Sequence, residues 1–146
     1  EAEQRRAEKT QRGDYERILR YHMPYLEYAP LVFTSAVTGE GLEALLKTAI
    51  DVAAQFSRRI STGELNRVVQ RAMQQHQPPA RGLRALKVYY ATQVDTRPPT
   101  FVLKCNDPEL CHFSYERYLR NKLREEFGLT GVPIRLRLEG RGGRER

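Results

Sequence analysis

Between Leu86 and Cys105 the chain can do little other than form two strands and a turn. Leu86, Val88, Tyr90, Thr92 and Val94 alternate with Lys87, Tyr89, Ala91 and Gln93. A period of two sends successive side chains to opposite faces of a strand. The first set is therefore expected on a packed face and the second on an exposed one. Pro98 and Pro99 cannot donate to a ladder, so the chain must turn near them. Phe101, Leu103 and Cys105 then alternate with Val102 and Lys104 as the returning strand.

A hairpin alone is marginal in water and needs cover. The flanking residues supply it. Downstream, Asn106-Asp107-Pro108 is a cap-then-proline start, and a short turn through Leu110 leads to a helix over about 114–127. Its apolar face is Tyr115, Tyr118, Leu119, Leu123 and Phe127, and Gly128 stands where a left-handed cap belongs. Ile134, Leu136 and Leu138 alternate with Arg135 and Arg137, a third strand with one apolar and one basic side. Upstream, Ser61 and Glu64 fit a capping box in which the serine bonds the Glu64 amide and the glutamate reaches back to the Ser61 amide. The helix they open carries Leu65, Val68, Val69, Ala72 and Met73 on one face and ends near His76, before Pro78-Pro79. Residues 58–140 thus predict an α+β domain of order α-β-β-α-β with a three-stranded sheet. The tail 141–146 is basic and too polar and glycine-rich to order itself.

Residues 1–57 follow a different pattern. Tyr15, Ile18, Leu19 and His22 fall on one helical stripe that Asp14 could cap. Leu31 to Thr34 suits a short buried parallel strand, followed by the small-residue loop Ser35 to Gly41. Leu42, Leu45, Leu46, Ala49, Ile50 and Ala53 then recur with helical period. Helix, strand, loop and helix make half of an α/β layer. The expectation is an incomplete domain whose remaining part is missing from this chain.

Charge divides at the same place. Residues 1–57 hold 7 Lys/Arg against 9 Asp/Glu, whereas 58–146 hold 18 against 9. A basic module beside a mildly acidic one points to a polyanionic partner for the second part alone. No apolar run is long enough to cross a bilayer, and the start of the chain is polar, which favours the cytoplasm and no membrane partner. Cys105 and Cys111 lack the paired spacings of a zinc site, so no metal is expected. His22, His76 and His112 are scattered, and Glu125-Glu126 sits on a helix rich in arginine and lysine. No catalytic residues are assigned.

Several strings resemble a known family: ISTGELNRVV (60–69), LKVYYATQVDTRPPTFVL (86–103), NDPELCHFSYERYLRNKLREEFG (106–128) and GVPIRLRL (131–138). They look like the carboxy-terminal KH-like domain of the Der/EngA ribosome-biogenesis GTPases. YAPLVFTSAVTGEGLEALL (28–46) is similar to the end of that family's second GTPase domain, a P-loop α/β layer. The resemblance implies two GTPase domains before this module, cytoplasmic action in assembly of the large ribosomal (50S) subunit, and GTP or GDP with Mg2+ as ligands of the whole protein. It also implies that Ser35 and Ala36 lie beside the guanine, where a backbone amide reads its O6 oxygen. The chain itself contains no G-x-x-x-x-G-K-[S/T], D-x-x-G or N-K-x-D motif. It is therefore expected neither to hold nor to hydrolyse GTP alone.

The KH-like module also lacks the G-x-x-G loop that clamps RNA backbones in standard KH domains. An rRNA contact must then come from elsewhere. The candidates are Lys87, Tyr89, Lys104, Arg135 and Arg137 on the sheet, with Arg81, Arg84 and Arg97 in flanking loops. The alternative is a regulatory module that docks on the missing GTPase domains and senses their nucleotide state, with Arg58-Arg59 as the coupling segment.

Overall fold

The structure, a computed structural model, describes residues 2–80 and 82–140. Arg81 and the tail 141–146 lie outside the described residues. The chain divides into two compact units, Glu1–Asp51 and Val52–Arg146, a boundary ahead of the expected junction at 57/58.

In the first unit, helix α1 spans Ala2–His22 without a break. Asp14 is an interior residue of it and pairs with Arg17 one turn on, so it is not the expected cap. Gly13 is tolerated there because an exposed helical glycine costs only about 1 kcal/mol. Arg20 donates from Nη1 to the Leu26 and Glu27 carbonyls, at 2.7 and 3.0 Å, which ties the following turn Pro24–Leu26 to the helix. Residues 31–34 form no strand. A strand is held by ladder hydrogen bonds, and the described residues of this unit offer none to pair with. Helix α2, Leu42–Phe56, forms where its periodicity predicts, and the unit boundary falls within it. Its apolar positions before the boundary face outward, Leu46 at 67% and Ile50 at 69% exposed, whereas Val52 and Phe56 beyond it pack against the core.

The second unit carries the core. Helix α3 (Thr62–Gln75), strands β1 (Val88–Thr96) and β2 (Pro99–Cys105), helix α4 (Phe113–Glu126) and strand β3 (Arg135–Glu139) follow in the predicted α-β-β-α-β order. The sheet order is β1-β2-β3, with β1 antiparallel and β3 parallel to the central β2. Leu65, Val68, Val69 and Ala72 of α3 and Tyr115, Leu119 and Leu123 of α4 are buried in one cluster with Phe101, Leu103, Leu136 and Leu138. Each fully buried leucine of this kind contributes about 1.5–3 kcal/mol.

The helix ends are built largely as their residues predict. Ser61 Oγ accepts the Glu64 amide at 3.3 Å, but Glu64 reaches back to the Ser61 hydroxyl, at 2.8 Å, and not to its amide. Asp107 caps the short turn Pro108–Leu110, and His112 caps α4 by accepting the Ser114 amide on Nδ1. Gly128, at φ +60°, turns the chain out of α4, and the Leu129 amide returns to the Arg124 carbonyl at 2.9 Å.

Candidate nucleic-acid interface

Strand β1 does not keep one phase. Its register on β2 shifts between Val88 and Tyr90 and again between Gln93 and Asp95. Each bulge adds an unpaired residue and inverts the alternation beyond it. Leu86 and Val88 point inward as predicted. After the first bulge, however, Ala91 and Gln93 are the buried residues, at 0% and 7% exposed, whereas Tyr90 and Val94 stand out at 48% and 51%. The expected packed face therefore holds only for the start of the strand. Tyr89 and Tyr90 lie side by side on the outer face, opposite the helices.

Side-chain amides hold this distorted edge strand. Asn66 of α3 donates to the Ala91 carbonyl and accepts the Ala91 amide, both at 2.8 Å, as a neighbouring strand would. Gln93 accepts the Ile60 amide at 2.7 Å and donates to the Arg58 carbonyl at 3.0 Å. Asn106 accepts the Lys87 amide and donates to the Ala85 carbonyl, extending the ladder beyond β1. An edge strand exposes unpaired backbone groups, and Asn66, with Gln70 donating to the Val88 carbonyl at 3.3 Å, closes part of that edge.

The outer face is arranged in rows across the three strands. Tyr90, Lys104 and Glu139 share one row, Thr92, Val102 and Arg137 the next, and Asp95, Thr100 and Arg135 the third. Lys104 is paired with Glu139, which offsets its charge. Arg135 and Arg137 are exposed and meet no carboxylate among the described residues. Lys87 is exposed beside the first row, and Arg97 is exposed in the turn after β1, where the Arg97–Pro98 peptide is cis. Arg84 is bound to Asp107 at 3.0 Å, next to the Lys87–Asn106 pairing. The structure thus groups Tyr89, Tyr90, Lys87, Arg135 and Arg137 on one open surface, while Arg84 is engaged by Asp107. Strands β1 and β3 are two inter-strand spacings, about 10 Å, apart, and the tyrosines and arginines stand in different rows of the face.

Tyr90 is the functional candidate that alternation alone misses. The Tyr-Tyr pair was its one available signal, since two adjacent aromatics cannot both face the core of a regular strand.

Elsewhere no catalytic arrangement forms among the described residues. Cys105 and Cys111 are buried and reduced. Burial pushes the Cys105 thiol up, against a partly offsetting hydrogen bond from the Asp107 backbone. The Cys105 thiol donates weakly to the Glu139 carbonyl at 3.6 Å. Tyr115 donates to the His76 carbonyl at 2.7 Å and Tyr118 to the Ala72 carbonyl at 2.9 Å, so both rings close the end of α3. Among the described residues no group of three His, Cys, Asp or Glu side chains could hold a metal ion.

In the first unit, the Ser35–Gly41 loop is a compact turn. The Ser35 amide bonds the Glu40 carbonyl at 3.0 Å, and the Gly39 amide bonds the Ser35 carbonyl at 2.9 Å. Gly41, at φ +79°, leaves no room for a side chain, since a Cβ would fall 2.1 Å from the Phe33 carbonyl oxygen. Ala36 is exposed, and its amide donates to no acceptor among the described residues. No helix among the described residues is long and apolar enough to cross a membrane.

Comparison with known proteins places these features in a family. Residues 59–139 match the family described as KH-domain-like of EngA bacterial GTPase enzymes, C-terminal. The GTPase Der of Halothermothrix orenii is 48% identical over 126 residues, which is 86% of this chain and 29% of that protein. The GTPase Der of Geotalea daltonii is 47% identical over 88% of the chain and 29% of its own length. That of Geobacter metallireducens is 50% identical over 83% of the chain and 28% of its length. The chain therefore spans under a third of the curated relatives it matches.

Proposed function

The chain belongs to the Der/EngA family of bacterial GTPases and carries its C-terminal KH-like domain, and from this we propose that the domain holds single-stranded ribosomal RNA on its open sheet face during large-subunit assembly. The observation that carries the reading is the outer surface of β1 and β3. Two half-exposed tyrosines stand on one edge, and two exposed arginines without a carboxylate partner among the described residues stand on the other. Arginine neutralises phosphates and makes binding salt-dependent. An exposed tyrosine stacks on a base for about 1–3 kcal/mol, whatever the base. Between them, Val102 and Thr100 are buried, so contact with an RNA strand falls to the tyrosines and arginines at the two edges.

Guanine nucleotide is the second ligand of this reading. The exposed Ala36 amide beside Ser35 fits the edge of a guanine, whose O6 needs a donor. The chain's sequence holds no phosphate-cradling or magnesium-binding motif, so its contribution is to base recognition, and GTP hydrolysis belongs to the GTPase domains of the family. Those domains, with the large ribosomal subunit, are the proposed partners, and the cytoplasm is the proposed location.

A salt titration of binding to a single-stranded rRNA fragment tests the RNA reading. The slope of log affinity against log salt should be clearly negative. Arg135→Gln with Arg137→Gln should flatten it by about 1 per residue removed. A slope near zero in the parent chain would instead assign the face to docking on the GTPase domains.

A further inference from the structure

A second basic surface lies among the helices of the same unit, and we propose that it binds the sugar-phosphate backbone of RNA at a site separate from the sheet face. This rests on the RNA reading above. A groove of about 340 Å3 runs between the segment Arg58–Ile60, the first turns of α3 and the end of α4. Arg58, Arg59, Arg67 and Arg71 line it, against Glu64 and Glu126, leaving an excess of positive charge.

Two of the four arginines are fastened. Arg58 donates from Nη1 to the Phe127 carbonyl at 2.6 Å, and Arg71 is 3.3 Å from Glu126. Arg59 and Arg67 are exposed and engage no acceptor among the described residues. The wall carrying Arg59 is fixed from within, because buried Gln93 bonds the backbone of both Arg58 and Ile60. The fork of a guanidinium matches the oxygens of a phosphate, and the backbone on either side of Arg59 is already held before the ligand arrives.

What the groove lacks selects the ligand. Its apolar lining, Ile60, Val68 and Phe127, is buried, so no exposed ring is available to stack on a base. Charge without a stacking ring positions a nucleic acid by its backbone and does not read its sequence. An acidic protein segment would call for an exposed apolar or aromatic anchor as well, and the groove offers none.

The test uses the full chain with Arg59→Gln and Arg67→Gln, alongside Arg59→Lys and Arg67→Lys, in salt titrations against single-stranded RNAs of several sequences. Both substituted positions are exposed, and matching thermal melts establish that the variants are folded. The glutamine pair should flatten the salt slope by about 1–2 and weaken binding alike for every sequence, while the lysine pair keeps most of the slope. If the glutamine pair keeps the parent slope while Arg135→Gln with Arg137→Gln lowers it, the groove proposal fails and the sheet reading stands. If the parent slope is itself near zero, both fail. Loss of binding to poly-glutamate with RNA binding unchanged would also overturn the proposal, making the groove a peptide site.

Discussion

Gln93 shows how much a single side chain can decide in this domain. It is 7% exposed, at a position where strand alternation gives no reason for an amide, and it satisfies one amide and one carbonyl of the segment leading into α3. Gln93→Ala leaves both groups buried without partners, and a cost of about 2–3 kcal/mol is expected from urea denaturation, with the denaturant dependence unchanged. Tyr115 offers a test in pH. Burial, with Tyr118 and Cys111 nearby, raises its phenol above the ordinary value of 10.0. Above that pH the unfolded chain loses a proton that the folded chain keeps, so stability falls as pH rises past 10. Tyr115→Phe should cost about 1 kcal/mol at neutral pH, through the lost bond to His76, yet show a shallower alkaline decline in urea midpoints. Residue chemistry was legible in the sequence where the rule is local, as at the Ser61 cap and at Gly128. It was not legible for Gln93 or Asn66, whose partners lie 33 or 35 and 25 residues away.

At the level of elements, the helix periods and the order of strands could be read directly, because each apolar stripe is long enough to fix its own phase. The bulges could not. One unpaired residue inverts every later side chain, and nothing in an alternating pattern marks where the ladder slips. That is why Tyr90 and Val94 were expected inside and lie outside, and why Lys87, ahead of the slip, stands where alternation put it, with Tyr89 exposed at the bulge itself. The strand expected at 31–34 failed for a different reason: strand propensity is local, but a strand exists only beside another. The bulge also yields a prediction of its own. Tyr90→Ala should change stability by less than about 0.5 kcal/mol, as for an exposed site, while weakening RNA binding by about 1–3 kcal/mol. A large loss of stability with unchanged affinity would return Tyr90 to the core.

Over the whole molecule, burial and charge divide along the same line. No described side chain from 11 to 51 is buried, and the core sits in the Val52–Arg146 unit, which also holds the excess of arginine and lysine. Of the eight residues proposed from sequence for RNA, the open face gathers Lys87, Tyr89, Lys104, Arg135 and Arg137. Glu139 offsets Lys104, Arg97 stands in the adjoining turn, Arg84 is held by Asp107, and Arg81 lies outside the described residues. Long-range ion pairs of this kind depend on the folded register and leave no local trace in sequence. RNA is expected on the sheet face away from the helices. Amide chemical-shift mapping of the labelled chain with a short single-stranded RNA addresses it most directly. The largest shifts are expected at 89–92, 100–104 and 135–138, across all three strands. Saturable binding that leaves those amides unmoved and shifts only residues of α4 would contradict it.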